Sequence, residues 1–319
     1  MSDNKRVTIA RVLLPAGREI LAGEFELVEG GLDATPEEVR QMAEGANAIV
    51  ADPTVKVDAE LLDAAGEQLE LVANFAVGYD NIDLDACRDR GITVTNTPDV
   101  LTNATAELAV ALTLAAARNI SDAERRMRAG EWKGWDPGDY LGFELSDSTI
   151  GVVGMGRIGF RYAELMYGFA SEILYTARDV KETAEVKLGA RKVELDELLA
   201  SSDVVSLHLP SVPETHHIID SAALGKMKTT SILVNTGRGT LVDSEALAFA
   251  LETGEIGAAG LDVYEDEPAV SESLLEAPRT ALTPHIGSAT GRSRDNMARL
   301  VARNVVAVLS GEPALTQVD

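Results

Sequence analysis

An apolar run at 149–153, Thr-Ile-Gly-Val-Val, opens directly into Gly154-Met-Gly156-Arg-Ile-Gly159 and then into a stretch of helix formers. A strand, three glycines and a helix in that order leave little room for other folds. Gly154 suits the tight turn that leaves the strand, Gly156 lets the backbone approach a phosphate, and Gly159 lets the helix pack closely. The N–H groups of the first helical turn then face an anion. The pattern predicts a unit that cradles a dinucleotide pyrophosphate through Gly154, Gly156 and Gly159.

Such a unit reads the adenosine ribose with side chains at the end of its next strand, ~20 residues on. Here the strand expected at 172–175 continues into Thr176, Ala177, Arg178 and Asp179. Ala177 stands 177 − 159 = 18 residues past the last glycine, where an acidic residue would accept from the ribose hydroxyl. A guanidinium instead pairs bidentately with a 2′-phosphate, which a carboxylate repels. Thr176, Ala177 and Arg178 therefore favour NADP(H), while Asp179, one residue further, keeps NAD(H) open.

Short apolar runs alternate with helical stretches along nearly the whole chain, the pattern of α/β folds with parallel sheets. Strands are expected at 8–14, 48–51, 69–73 and 92–95, then at 149–153, 172–175, 204–209, 232–235, 258–263 and 281–283. At ~150 residues per domain, 319 residues make two domains. Long helices at 103–119 and 294–309 border the glycine-rich unit. A nucleotide-binding module in mid-chain forces two crossings between domains, and these helices mark them. The fold class is α/β, with two doubly wound parallel-sheet (Rossmann-like) domains, the cofactor domain inserted in a discontinuous substrate domain. Residues 1–100 and 286–319 would form the substrate domain, and 101–285 the dinucleotide-binding domain. The stretch 130–138, Gly-Glu-Trp-Lys-Gly-Trp-Asp-Pro-Gly, is dense in turn formers and reads as an arm or loop. Its indoles would be buried either on a dimer partner or within the domain.

Charge excludes several functions. The chain carries 28 basic and 52 acidic residues, a net −24, and only eight of the basic residues are lysine. Such a surface repels phosphate backbones and anionic leaflets, so neither nucleic acid nor membrane is an expected partner. An acidic, lysine-poor surface fits a high-salt habitat, and equally an ordinary acidic protein. No apolar run approaches the ~20 residues that span a bilayer, and the first residues lack a secretory core, which points to the cytoplasm. Cys87 is the single cysteine and reads as a buried, inert thiol. With four histidines, two of them adjacent at 216 and 217, no metal is expected.

Three polar side chains each follow an expected strand, at the carboxyl edge where open α/β sheets bind ligands. They are Arg238 in Asn235-Thr-Gly-Arg-Gly239, Glu267 in Asp262-Val-Tyr-Glu-Asp-Glu-Pro268, and His285 in Thr283-Pro-His-Ile-Gly-Ser288. Reduction of a 2-oxo acid needs a cation for its carboxylate and carbonyl, a proton donor for the nascent alkoxide, and a hydride source. Arg238, His285 and the dinucleotide supply those in turn. A Glu267 carboxylate bonded to the imidazole would orient it and raise its pKa. Arg238, Glu267 and His285 are thus the expected catalytic residues.

Together these segments resemble the D-isomer-specific 2-hydroxyacid dehydrogenase family over almost the whole chain, through 152–159, 233–239, 260–268 and 283–288. The resemblance implies that Arg238 binds substrate, Glu267 supports the imidazole and His285 is the acid/base. It implies cofactor contacts from Arg157 and Ile158 at the pyrophosphate and from Thr236, Gly237 and Asp262 toward the nicotinamide. Ser288, Pro210 and Thr215 match further cofactor-lining positions. Asn74-Phe-Ala-Val-Gly78 resembles the family's substrate loop, so Asn74, Val77 and Gly78 are expected to bind substrate, its carboxylate on the N–H groups of Val77 and Gly78.

That loop, with Thr95-Asn-Thr-Pro98 and Thr105-Ala-Glu107, is similar in wording to glyoxylate and hydroxypyruvate reductases. Ala177-Arg178 departs from the family pattern, in which many NAD-dependent members carry Asp. A phosphoglycerate dehydrogenase-type enzyme is the alternative, disfavoured because no regulatory domain follows Asp319. A dinucleotide-sensing corepressor-like binding protein is another, disfavoured because the chain has almost no tails. Formate dehydrogenases lack the Glu partner that Glu267 provides. The resemblance further implies a homodimer around the central domain, and for hydride transfer a closure of the two domains would exclude water from the step. It leaves open which small 2-oxo acid is taken.

Overall fold

The computed structural model describes residues 5–318, which pack as two units. The first takes the chain up to Leu101 and again from Ser288; the second takes Thr102–Gly287. The division read from the sequence lies at 100/101 and 285/286. Ile286 and Gly287 go with the second unit, where their N–H groups bond the Asp262 carboxylate at 2.7 Å.

In the first unit β1 (Arg6–Ile9), β2 (Glu26–Glu29), β3 (Ala48–Ala51), β4 (Leu71–Asn74) and β5 (Thr93–Thr95) form a parallel sheet. Its order is β2-β1-β3-β4-β5. The crossovers are α1 (Pro15–Ala22), α2 (Pro36–Ala43), α3 (Ala59–Ala65) and α4 (Leu84–Asp89). Proline opens α1 and α2, and Asp58 and Asp83 cap α3 and α4 by accepting the N–H of Leu61 and Ala86.

The second unit opens with α5 (Thr102–Ala117) and α6 (Ile120–Arg128). Then β6 (Ser148–Val153), α7 (Arg157–Met166), β7 (Ala170–Thr176), α8 (Glu182–Leu188) and β8 (Arg191–Lys192) build one half of a sheet. The other half is α9 (Leu195–Ser201), β9 (Val204–Leu207), α10 (Ser221–Leu224), β10 (Ile232–Asn235), α11 (Ser244–Thr253), β11 (Ala258–Leu261), α12 (Glu272–Glu276) and β12 (Thr280–Leu282). All seven strands are parallel, in the order β12-β11-β10-β9-β6-β7-β8. Winding reverses between β6 and β9, the switch point at which such sheets bind ligands. The chain then returns to the first unit through α13 (Gly291–Leu309), which packs on α1 and β4. Two doubly wound parallel-sheet domains, the second inserted in the first, are what the sequence predicts.

Alternate side chains of each central strand feed opposite cores, the period of two that a strand imposes. Val205, Leu207 and Leu233 join Leu198, Leu247 and Leu251 on one face; Val204, Ile232 and Val234 join Leu112, Tyr162 and Met166 on the other. Two strands were not expected. β2 has Glu at both ends and no fully buried residue, and β8 is Arg-Lys at the far sheet edge. The run at 8–14 ends as a strand at Ile9, because the chain then turns to enter α1. α13 starts at Gly291 rather than 294, where Thr290 caps it by accepting the Ser293 N–H. The stretch 130–138 is loop, and Trp132 and Trp135 are 55% and 85% exposed, so neither indole is buried within the unit. Among the described residues no helix is long and apolar enough to cross a membrane.

Candidate active site

Because every strand of the second unit is parallel, the segments leaving β6, β9, β10, β11 and β12 emerge at one edge of the sheet. The segment after β6 turns at Gly154, whose φ is +98°. A Cβ there would lie 2.7 Å from the His208 carbonyl oxygen, and one on Gly159 would lie 2.2 Å from that of Gly154. Both positions therefore demand glycine. Gly156, at the cap of α7, has no atom within 4 Å of a built Cβ, which leaves the space over the helix N-terminus open. Arg157 and Ile158 form the first turn of α7.

The segment after β7 carries Thr176, Ala177 and an exposed Arg178. Lys192 Nζ donates to the Arg178 carbonyl at 3.0 Å, and the Tyr175 hydroxyl accepts the Lys181 N–H at 2.8 Å. These two bonds tie the segment back to its own strand edge. After β9, the Thr215 hydroxyl donates to the Pro210 carbonyl at 2.8 Å and closes that loop. After β10, Asn235 Oδ1 accepts the Gly237 N–H at 3.0 Å while its Nδ2 donates to the Arg238 carbonyl at 2.8 Å. Thr236 Oγ1 lies buried at the same edge with no hydrogen-bond partner. An open helix N-terminus and an orphaned hydroxyl both fit a dinucleotide laid along this edge.

Arg238, Glu267 and His285 come from three different segments. Glu267 Oε2 meets His285 Nδ1 at 2.6 Å, and its Oε1 accepts the Tyr264 N–H at 3.0 Å. Burial pushes this carboxyl up, but hydrogen bonds from His285 and Tyr264, with the Arg238 charge nearby, win and hold it below its ordinary value. Ionised Glu267 fixes the proton on Nδ1, so Nε2 is the atom left to exchange one. A Cβ on Gly239 would lie 1.9 Å from the Tyr264 carbonyl carbon, so the Arg238 segment packs directly on the Glu267 segment.

His285 has a φ of +53°, in the left-handed region, and its segment is gripped by Asp262. That side chain, 1% exposed, accepts the Thr283 hydroxyl and the Ile286 N–H at Oδ1 and the Gly287 N–H at Oδ2, each at 2.7 Å. Burial raises its carboxyl above the ordinary value in spite of those bonds. Asp262, expected from the sequence as a cofactor contact, is seen here holding the histidine segment.

His217 Nε2 meets Glu265 Oε1 at 2.5 Å, and Glu265 Oε2 accepts the Ser244 N–H at 3.1 Å. No sequence pattern singled out this pair, whose members stand 48 positions apart. In the first unit Asn74 is fully buried at the end of β4, and its Nδ2 donates to the Gly78 carbonyl at 2.8 Å across the loop that carries Val77. Ser288 opens the return of the chain to that unit. Cys87 is buried, its thiol pushed up to about 11 chiefly by burial. Among the described residues no cluster of three or more His, Cys, Asp or Glu side chains could hold a metal.

Over residues 110–287 the chain matches the family described as D-isomer specific 2-hydroxyacid dehydrogenase, NAD binding domain. It is 45% identical over 320 residues to a glyoxylate reductase of Thermococcus onnurineus, a match covering 98% of this chain and 96% of the relative. Among solved structures it is similar to a Thermus thermophilus protein, with TM-score 0.91, 41% identity and coverage of 98% and 100%. It is also similar to an NADPH-dependent glyoxylate/hydroxypyruvate reductase of Sinorhizobium meliloti in complex with NADP and malonate, with TM-score 0.89, 35% identity and coverage of 99% and 97%.

Proposed function

The chain belongs to the D-isomer specific 2-hydroxyacid dehydrogenase family, and we propose that it acts as a glyoxylate reductase-like enzyme on a small 2-oxo or D-2-hydroxy acid. A bound nicotinamide dinucleotide would supply or take the hydride at C2 of the acid. The observation that carries this reading is the 2.6 Å contact of His285 with Glu267, on the sheet edge that also bears Arg238 and the glycine turn.

With Nδ1 bonded to Glu267, His285 gives its Nε2 proton to the oxygen on C2 during reduction and takes it back in the reverse direction. Arg238 offers a planar cation to the carboxylate and carbonyl oxygens. Val77 and Gly78 receive the substrate carboxylate on their N–H groups, with Asn74 bracing their loop. Gly154, Gly156, Gly159, Arg157 and Ile158 would hold the pyrophosphate. Thr236, Gly237, Asp262 and Ser288 would line the nicotinamide side, and Pro210 and Thr215 the stretch between.

NADP(H) is favoured over NAD(H), because Ala177 offers no carboxylate and Arg178 is exposed beyond β7. The Sinorhizobium relative, described as NADPH-dependent, supports the choice. A homodimer is part of the same reading, supported by exposed Met127, Trp132, Trp135 and Leu141 along α6 and its following loop.

Steady-state oxidation of NADPH and of NADH by glyoxylate, run on the chain and on His285→Ala, tests the proposal. The expected result is a higher kcat/KM with NADPH and a ~10²–10⁴-fold lower turnover in the variant, with cofactor binding intact. No glyoxylate-dependent oxidation with either cofactor, or full turnover in the variant, overturns it.

A further inference from the structure

We propose that the segment following α13 positions the substrate loop, through a relay from Asn304 to Thr316 to Asn96 that aims the N–H groups of Val77 and Gly78. The inference rests on the reading that these two groups receive the substrate carboxylate.

A trans peptide is planar, with its C=O and N–H pointing opposite ways, so fixing one aims the other. The Val77 N–H shares its plane with the Ala76 carbonyl, which accepts the Thr97 N–H at 2.8 Å. The Gly78 N–H shares its plane with the Val77 carbonyl, which accepts Asn96 Nδ2 at 2.8 Å. Residues 96 and 97 therefore orient both donors.

Asn96 itself lies past the end of β5, the edge strand of its sheet, and it is held from the far end of the chain. The Thr316 hydroxyl donates to the Asn96 carbonyl at 2.7 Å, and the Thr316 carbonyl accepts the Asn96 N–H at 3.3 Å. Thr316 is held in turn by Asn304, a fully buried side chain on α13. Asn304 Oδ1 accepts the N–H groups of Leu315 and Thr316 at 2.9 and 3.2 Å, and its Nδ2 donates to the Thr316 hydroxyl at 2.8 Å. A buried amide is costly unless its polar atoms are paired, and once paired it specifies one arrangement. Here that arrangement is the placement of residues 315 and 316. The pairing continues along the β5 edge, where the Val318 N–H donates to the Val94 carbonyl at 2.8 Å.

Thr316→Val keeps the branched shape and removes the hydroxyl, while Thr316→Ser restores it. The valine removes both bonds of the hydroxyl, the one it donates to the Asn96 carbonyl and the one it accepts from Asn304 Nδ2. It should raise the KM for glyoxylate ~3–10-fold, with kcat and the Kd for NADPH within about twofold of the parent. Thr316→Ser should return the KM to the parental value, and Thr316→Ala should repeat the valine result. An unchanged KM in Thr316→Val and Thr316→Ala overturns the relay. So does a rise in KM matched by an equal loss of NADPH affinity, or one that serine does not rescue. His285→Ala serves as the reference: full turnover there means that the functional reading has failed, whereas an inactive His285→Ala beside a parental Thr316→Val removes the relay alone.

Discussion

Asp262→Asn replaces the carboxylate that grips the His285 segment with its closest neutral copy. Oδ1 takes two donors and Oδ2 takes one, all at 2.7 Å, so an amide can satisfy only one of the two sides. With its oxygen toward Thr283 and Ile286, the variant turns its NH₂ toward the Gly287 N–H and leaves a buried donor without an acceptor. A lost charge-assisted bond of this kind costs about 3 kcal/mol. Burial raises the Asp262 carboxyl, so the fold disfavours its charge, and the neutral amide recovers part of that cost. A net loss of ~2 kcal/mol lowers the Tm of a unit this size by roughly 4–8 °C. Since Ile286 and Gly287 directly follow His285, turnover should fall ~10–100-fold, the usual effect of losing a group that orients a reacting side chain. Calorimetric scans and steady-state turnover in one buffer measure both. Parental Tm with parental turnover refutes the reasoning. Lost turnover at parental Tm also refutes it, and assigns Asp262 to ligand contact alone.

Glu267→Gln preserves an acceptor for His285 Nδ1 but removes the charge that supports an imidazolium, so turnover should drop ~10–100-fold with NADPH affinity unchanged; parental turnover would show that orientation alone suffices. His208, with Nε2 on the Ser206 hydroxyl at 2.9 Å and its ring against Tyr162, is pushed by burial from 6.5 down to about 3. A folded-state pKa below the unfolded one gives stability that is complete above the unfolded value and is lost as pH falls toward the folded one. At pH 5 that loss amounts to about 2 kcal/mol. Denaturant titrations at neutral pH and at pH 5 should show the acid loss shrinking by this amount in His208→Gln, and an equal loss in both chains removes His208 as its source.

Central strands are legible because a parallel strand buried on both faces reads as an unbroken apolar run, as at Ala48–Ala51 and Ile232–Asn235. At the sheet edges, β5 and β12 are read as strands at 92–95 and 281–283, whereas β2 and β8 are not. β2 and β8 are paired on one side only and carry Glu, Arg and Lys that look like loop. Arg238, Glu267 and His285 stand out because each sits just past an apolar strand, a local pattern. The grip of Asp262 on residues 286 and 287 follows from where β11 and β12 end relative to each other, which register decides and composition does not. The bond from Thr316 to Asn96 spans 220 positions, and in the sequence Asn304 is only a polar interruption of an apolar helix face.

The chain has two tryptophans, Trp132 and Trp135, and both are exposed in the single protomer, on the loop after α6. In a single protomer these indoles are already hydrated and change emission little when either core melts, so intrinsic fluorescence there reports what covers this loop rather than the unfolding of the cores. The same placement gives the loop an unlabelled optical probe of its own. A surface that comes to rest on it will shift the spectrum to the blue, with no other indole contributing background.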